Sequence, residues 1–323
     1  MNYHSNIEAL RRTVESHAFV RNISQHRLPD GTLDIKGNLE LWNRGMGPFI
    51  KTPLWEHTPG WDDRDPLQKE PYFVFIPAPE GHENAPAILI SHGGGFSWRT
   101  GCEGPNVAWY FHNAGYHTAI LSYRLLPYTR RHCLADIQRA VRLLRTGAFA
   151  PCGKVIAMGF SAGGMLSGNC ATHYDLGDPA AADPVETRSC RPDACVIGYG
   201  AMSEVAFPGP FMADPNQPDL FGKNLADRYY LAAEQHINPQ SPPFFIWQTM
   251  SDDGRHGMCL AQALQAAGVS YELHIFEGGV HGLGMADGEN DLAADVPHIH
   301  HWGELCCEWL SLHGLGPGQE KIP

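Results

Sequence analysis

From about residue 71 the chain alternates short apolar runs with amphipathic stretches. Tyr72-Phe73-Val74-Phe75-Ile76 and Ala87-Ile88-Leu89-Ile90-Ser91 are continuous apolar runs too short for buried helices, so each predicts a buried strand. His117 to Tyr123, Val155 to Phe160, Ala194 to Tyr199, Pro243 to Thr249 and Tyr271 to Phe276 read the same way. Between them, Leu134, Ile137, Val141 and Leu144 recur at helical spacing and predict a helix from His132 to Thr146. Further helices are expected over Pro105 to Ala114, Arg255 to Ala267 and His301 to Leu312. Strands that alternate with helices imply right-handed crossovers, hence an α/β fold with a mainly parallel sheet covered on both faces.

Two regions break the alternation. Residues 1–70 start with a short predicted helix, Ile7 to Ser16, and then become rich in Pro, Gly and Trp. They form an N-terminal extension, expected to shape a pocket or to mediate contact in a homo-oligomer. Residues 71–323 form the main domain, and the proline- and aromatic-rich insertion at about 204–242 is expected to be a small cap or pocket wall. It follows a strand end, where open α/β sheets bind ligands.

Composition narrows the partners. The net charge is −12 and basic residues do not cluster, which argues against nucleic acid and anionic membrane as partners. No stretch reaches the length of a membrane span, and Met1 to Phe19 contains no apolar signal-type core, so a cytoplasmic location is expected. The nine cysteines are scattered without framework or zinc spacing and read as free thiols in a reducing compartment. Neither a metal nor a cofactor is expected.

The candidate chemistry centres on Gly159-Phe160-Ser161-Ala162-Gly163, which directly follows an apolar run. A serine there sits on a tight strand-to-helix turn with its hydroxyl held above the sheet. Upstream, His92-Gly93-Gly94-Gly95 follows another strand, and glycines let a backbone turn its amides toward a developing oxyanion. Gly93 and Gly94 are the expected donors there, joined by the amide of Ala162. A serine needs a base, and His281 lies in a glycine-rich loop immediately after the last strand. The base needs an orienting carboxylate, which chain order places after the Phe244–Thr249 run, at Asp252-Asp253. Asp253 is taken as the acid, with Asp252 as the alternative; the other of the two is expected to cap the helix near Arg255. Phe96, Trp98, Met202 and Phe207 are candidates for the pocket wall, and Arg124 and Asp136 are read as a structural pair.

These motifs carry a resemblance. HGGGF at 92–96, SYRLLP at 122–127, LADIQRAVRLLR at 134–145, GFSAGG at 159–164, CRPD at 190–193, SPPFFIWQT at 241–249 and HIFEGGVHGLGMA at 274–286 stand in order. The chain resembles the α/β-hydrolases of the esterase/lipase group related to hormone-sensitive-lipase-like enzymes. Within them it is most similar to the bacterial acetyl-xylan and carbohydrate acetyl esterases. The resemblance spans about residues 70–312 and implies Ser161 as nucleophile, His281 as base and Asp253 as acid. It also implies an oxyanion hole from the HGGG and post-serine amides. Two departures, Asp252-Asp253-Gly254-Arg255-His256-Gly257 and Tyr199-Gly200-Ala201-Met202-Ser203, lie beside the site and bear on the substrate. The expected function is hydrolysis of short-chain, acetyl-type esters, with a small-molecule ester as substrate. Amide hydrolysis on the same machinery and a non-catalytic binding protein are the alternatives.

Overall fold

The computed structural model describes residues 3–17, 19, 27–203 and 224–318. Its centre is an eight-stranded sheet built from β1 (Lys51–Pro53), β2 (Tyr72–Ile76), β3 (Ala87–Ser91), β4 (His117–Ser122), β5 (Val155–Phe160), β6 (Ala194–Gly198), β7 (Phe244–Thr249) and β8 (Tyr271–Phe276). The strand order is β1-β2-β4-β3-β5-β6-β7-β8. β1 and β2 run antiparallel to their neighbours, and from β4 to β8 every pairing is parallel. The mainly parallel sheet expected from the strand–helix alternation is thus observed, and its topology is that of an α/β-hydrolase.

Both faces are covered. Leu89 of β3 points into one core with Ile137, Val141 and Leu144 of α4 (Arg130–Arg145) and Leu166 of α5 (Ala162–Thr172). Its neighbours Ile88 and Ile90 point into the other, with Leu10 of α1 (Ser5–Glu15), Trp42 of α2 (Ile35–Gly45) and Phe111 of α3 (Val107–Asn113). Burial on both faces explains why the central strands are continuous apolar runs rather than alternating ones. Each such Leu or Ile contributes roughly 1.5–3 kcal/mol. α6 (Arg255–Ala267) lies on the first face and α7 (Trp302–Leu312) on the second, where Trp302 stacks on Trp247 at 5.1 Å.

The described part of the first seventy residues is tied into this body. β1 extends the sheet beyond β2, and the buried Asn6 side chain donates to the carbonyls of Ile50 and Phe75. Arg124 and Asp136 do form a buried two-toothed ion pair, at 2.8 and 2.7 Å, and Trp55 Nε1 donates to the same carboxylate. The helix expected from Pro105 starts at Val107 instead. A π-helical turn, Cys102–Asn106, precedes it.

Candidate active site

Strand order decides which loops meet. After β3 the chain crosses to β4 on one side, and β5 then returns to the other side of β3. This switch point opens a crevice at the carboxyl ends of the strands. It sets the His92–Gly95 loop after β3 beside Ser161 after β5. The loops after β7 and β8 approach from the far side of β6.

Ser161 sits between β5 and α5 with φ 51° and ψ −121°, a conformation that side chains rarely adopt. The turn is held by Ser161 N–H donating to the Gly198 carbonyl at 2.9 Å, and by Met165 N–H donating to the Ser161 carbonyl at 3.0 Å. It tolerates only glycine at positions 159 and 163. A Cβ on Gly159 would overlap the Gly163 carbonyl, and one on Gly163 would overlap the carbonyls of Ser91 and His92.

His281 Nε2 lies 2.8 Å from Ser161 Oγ, and His281 Nδ1 lies 2.6 Å from Asp252 Oδ2. A carboxylate only accepts, so Nδ1–H donates to Asp252 and Nε2 presents its lone pair to the serine hydroxyl. Burial pulls the His281 pKa down. The Asp252 hydrogen bond and charge, with the Glu103 charge, outweigh it, and the net shift is upward from the ordinary 6.5.

The choice of Asp253 over Asp252 is therefore corrected. Asp253, at φ 26°, turns away from His281 and pairs with Arg255 at 2.6 and 2.7 Å, which lowers its pKa. Asp252 N–H bonds back to the Thr249 carbonyl, closing a turn that faces its side chain toward the β8 loop. The two aspartates have exchanged the places expected of them, Asp253 being the one at the helix start.

The glycine loop needs a second correction. The Gly93 amide is taken: it donates to Glu103 Oε2 at 2.7 Å and is not directed at an oxyanion. The amides of Gly94 and Ala162 make no hydrogen bond among the described residues. Gly94 has φ 105°, which a residue with a Cβ would resist, and that Cβ would overlap the Trp98 backbone. Behind the loop, His92 is fully buried, stacked on Tyr123 at 4.6 Å, and donates through Nδ1 to the Gly93 carbonyl. Burial, with the Arg99 charge, pushes its pKa down to about 3, so this imidazole stays neutral.

The expected pocket wall is only partly in place. Phe96 and Met202 are each 2% exposed and belong to the core beneath the site: Phe96 lies under the Arg130 guanidinium, and Met202 packs toward Gly168 and Gly200. Trp98 is half-buried beside Gly94 and Gly95. Phe207 lies outside the described residues. Sequence reasoning misses Glu103 and takes Tyr199 only as part of the departure at 199–203. The one signal for Glu103 is an acidic residue set among small and apolar neighbours, Gly101-Cys102-Glu103-Gly104-Pro105. Among the described residues, no group of three or more His, Cys, Asp or Glu side chains could hold a metal ion, and no helix is long and apolar enough to cross a membrane.

Comparison with known proteins adds a family. The BD-FAE family model matches residues 74–263. The acetyl ester-xyloside bifunctional hydrolase of Caldicellulosiruptor lactoaceticus has a solved structure that is 31% identical and superposes with a TM-score of 0.73, over 83% of this chain and 97% of that one. The carboxylesterase Cest-2923 of Lactobacillus plantarum shares the fold at 22% identity and a TM-score of 0.66, over 84% of this chain and 99% of that one. Endo-1,4-beta-xylanase B of Butyrivibrio fibrisolvens is 31% identical over 218 residues, 62% of this chain, and the chain spans only 33% of that relative's length. A family match covering more than half of the sequence, on this sheet topology, makes the chain a member of the BD-FAE family of α/β-hydrolases.

Proposed function

We propose that the chain is a serine esterase of short-chain, acetyl-type esters, with Ser161 as nucleophile, His281 as base and Asp252 as acid. The observation that carries this reading is the continuous hydrogen-bonded line from Asp252 through His281 to Ser161, at 2.6 and 2.8 Å. Ser161 Oγ attacks the ester carbonyl carbon while His281 Nε2 takes the hydroxyl proton. The carbonyl oxygen becomes an oxyanion, held by the amides of Gly94 and Ala162 at the amino end of α5. As the C–O bond to the alcohol breaks, His281 returns the proton to the leaving oxygen. Water then repeats the sequence on the acyl-enzyme and releases the acid.

Acetylated carbohydrate is the proposed substrate class. It is supported by the acetyl ester-xyloside hydrolase at 31% identity and by the xylanase-named relative. The insertion at about 204–242, of which residues 204–223 lie outside the described residues, follows β6 in the chain, and β6 ends beside Ser161, which supports the reading of the insertion as a pocket wall. The nine unpaired cysteines fit the proposed cytoplasmic location.

The test is hydrolysis of p-nitrophenyl acetate against the laurate ester, alongside acetylated xylo-oligosaccharides. The acetate should be cleaved much faster than the laurate, and Ser161→Ala should lose about three or more orders of magnitude in turnover. Full activity in that variant refutes the assignment.

A further inference from the structure

We propose that Glu103 is a positioning residue of this site: its buried carboxylate ties the glycine loop beside Ser161 to the backbone that carries the His281 loop. The proposal rests on the reading of Ser161 and His281 as nucleophile and base.

Glu103 is 1% exposed and has no Lys or Arg partner among the described residues. A carboxylate in that position is tolerable only if donors fill its lone pairs. Three do. Oε2 accepts the Gly93 N–H at 2.7 Å and the Thr100 hydroxyl, and Oε1 accepts the Tyr199 hydroxyl at 2.7 Å. Tyr199 in turn accepts the Gly284 N–H at 2.8 Å, which fixes the direction of its own proton toward Glu103. Gly284 lies three residues past His281 in the same loop, and the Tyr199 ring meets the His281 ring edge-on at 5.1 Å. On the other side, Gly93 is so close to the nucleophile that a Cβ there would lie 2.9 Å from Ser161 Cβ.

One side chain therefore sets the peptide that precedes the Gly94 amide and, through one phenol, the position of the base. One of the three amides expected to bind the oxyanion, that of Gly93, is instead used to orient its neighbour. A glutamate suits the role because it is acceptor-only and all three of its partners are donors.

The charge acts as well as the shape. Asp252 and Glu103 are the acidic groups acting on His281, and both raise its basicity. Around Glu103 itself, burial pushes the Cys102 thiol and the Tyr199 phenol well up, and these stay neutral. Burial, then the Glu103 charge, raises the Asp291 carboxyl to about 7. Removing the Glu103 charge thus lowers the pH at which His281 loses its proton. A purely structural residue would leave that pH unchanged.

The experiment compares Glu103→Gln, Glu103→Asp and Tyr199→Phe in the full chain, with p-nitrophenyl acetate from about pH 5 to 9. Glu103→Gln should lower kcat about 10- to 100-fold, with KM within about twofold, and move the acid limb of kcat/KM to lower pH. Glu103→Asp keeps the charge but loses reach, so kcat falls while the acid limb stays in place. Tyr199→Phe cuts the tie to Gly284 and lowers kcat about tenfold, again without moving the limb. A folded Glu103→Gln enzyme with unchanged kcat and acid limb overturns the proposal. If that variant does not fold, a folded Tyr199→Phe enzyme with wild-type kcat overturns it equally. A wild-type chain that neither cleaves the acetate nor reacts with a fluorophosphonate refutes the triad itself, a separate outcome.

Discussion

Replacing Asp252 or Asp253 by asparagine separates two neighbouring carboxylates that the structure gives different work. In the proposed reaction His281 gains the Ser161 proton and becomes a cation beside Asp252, with nitrogen and oxygen 2.6 Å apart. With charge centres about 4 Å apart, Coulomb attraction is about 4 kcal/mol at an effective dielectric of about 20. His281 has 51% of its side chain exposed, so water screens part of this, leaving about 2–4 kcal/mol. That corresponds to a loss of roughly 30- to 1,000-fold in kcat. An asparagine also favours the wrong imidazole tautomer, which extends the loss toward about 10⁴-fold. Asp253→Asn removes an ion pair to Arg255 whose partners are 36% and 60% exposed, and asparagine accepts the positive φ at this position. Its kcat should stay within about twofold of the parent. The assay is initial rates on p-nitrophenyl acetate, normalised to folded protein by thermal melting. If Asp253→Asn were the inactive variant and Asp252→Asn the active one, the assignment of the acid would be refuted.

Three other outcomes are expected. As the proposed base His281 acts only when neutral, and its pKa is raised, so kcat/KM should fall as pH drops through a value above 6.5; an inflexion below that value contradicts the Asp252 and Glu103 contributions. Asp136→Ala strands a buried Arg124 and should cost about 3–5 kcal/mol in urea unfolding, with a loss below about 1 kcal/mol counting against the buried pair. Gly163→Ala drives a methyl into the Ser91 and His92 carbonyls and should destabilise by about 3 kcal/mol or prevent folding, whereas unchanged melting contradicts the described turn.

What the sequence disclosed follows a physical division. β2, β3 and β5 begin and end where their apolar runs do, because burial on both faces demands a continuous run. Ser161 and His281 were legible because each lies in a glycine-rich turn directly after a strand. Asp252 and Asp253 differ only in which way a tight turn points them, and that depends on the Thr249 carbonyl and on φ 26° at Asp253. The Gly93 amide could not be assigned without Glu103, which lies ten residues on but touches it through space. α2 was hidden as well: Gly37, Asn38 and Asn43 lower its propensity, and Asp34 starts it by accepting the Gly37 N–H.

The sheet also ranks the parts of the site by how firmly they are held. Ser161 and the glycine loop hang from β5 and β3, inner strands with every residue buried. The proposed base, His281, hangs from β8, an edge strand in which five of six residues are only half-buried. Edge segments open locally at lower free energy than the interior does. On warming, therefore, the enzyme should fall silent before it melts: the histidine drifts from a serine that is still in place, and cooling restores it without refolding the core.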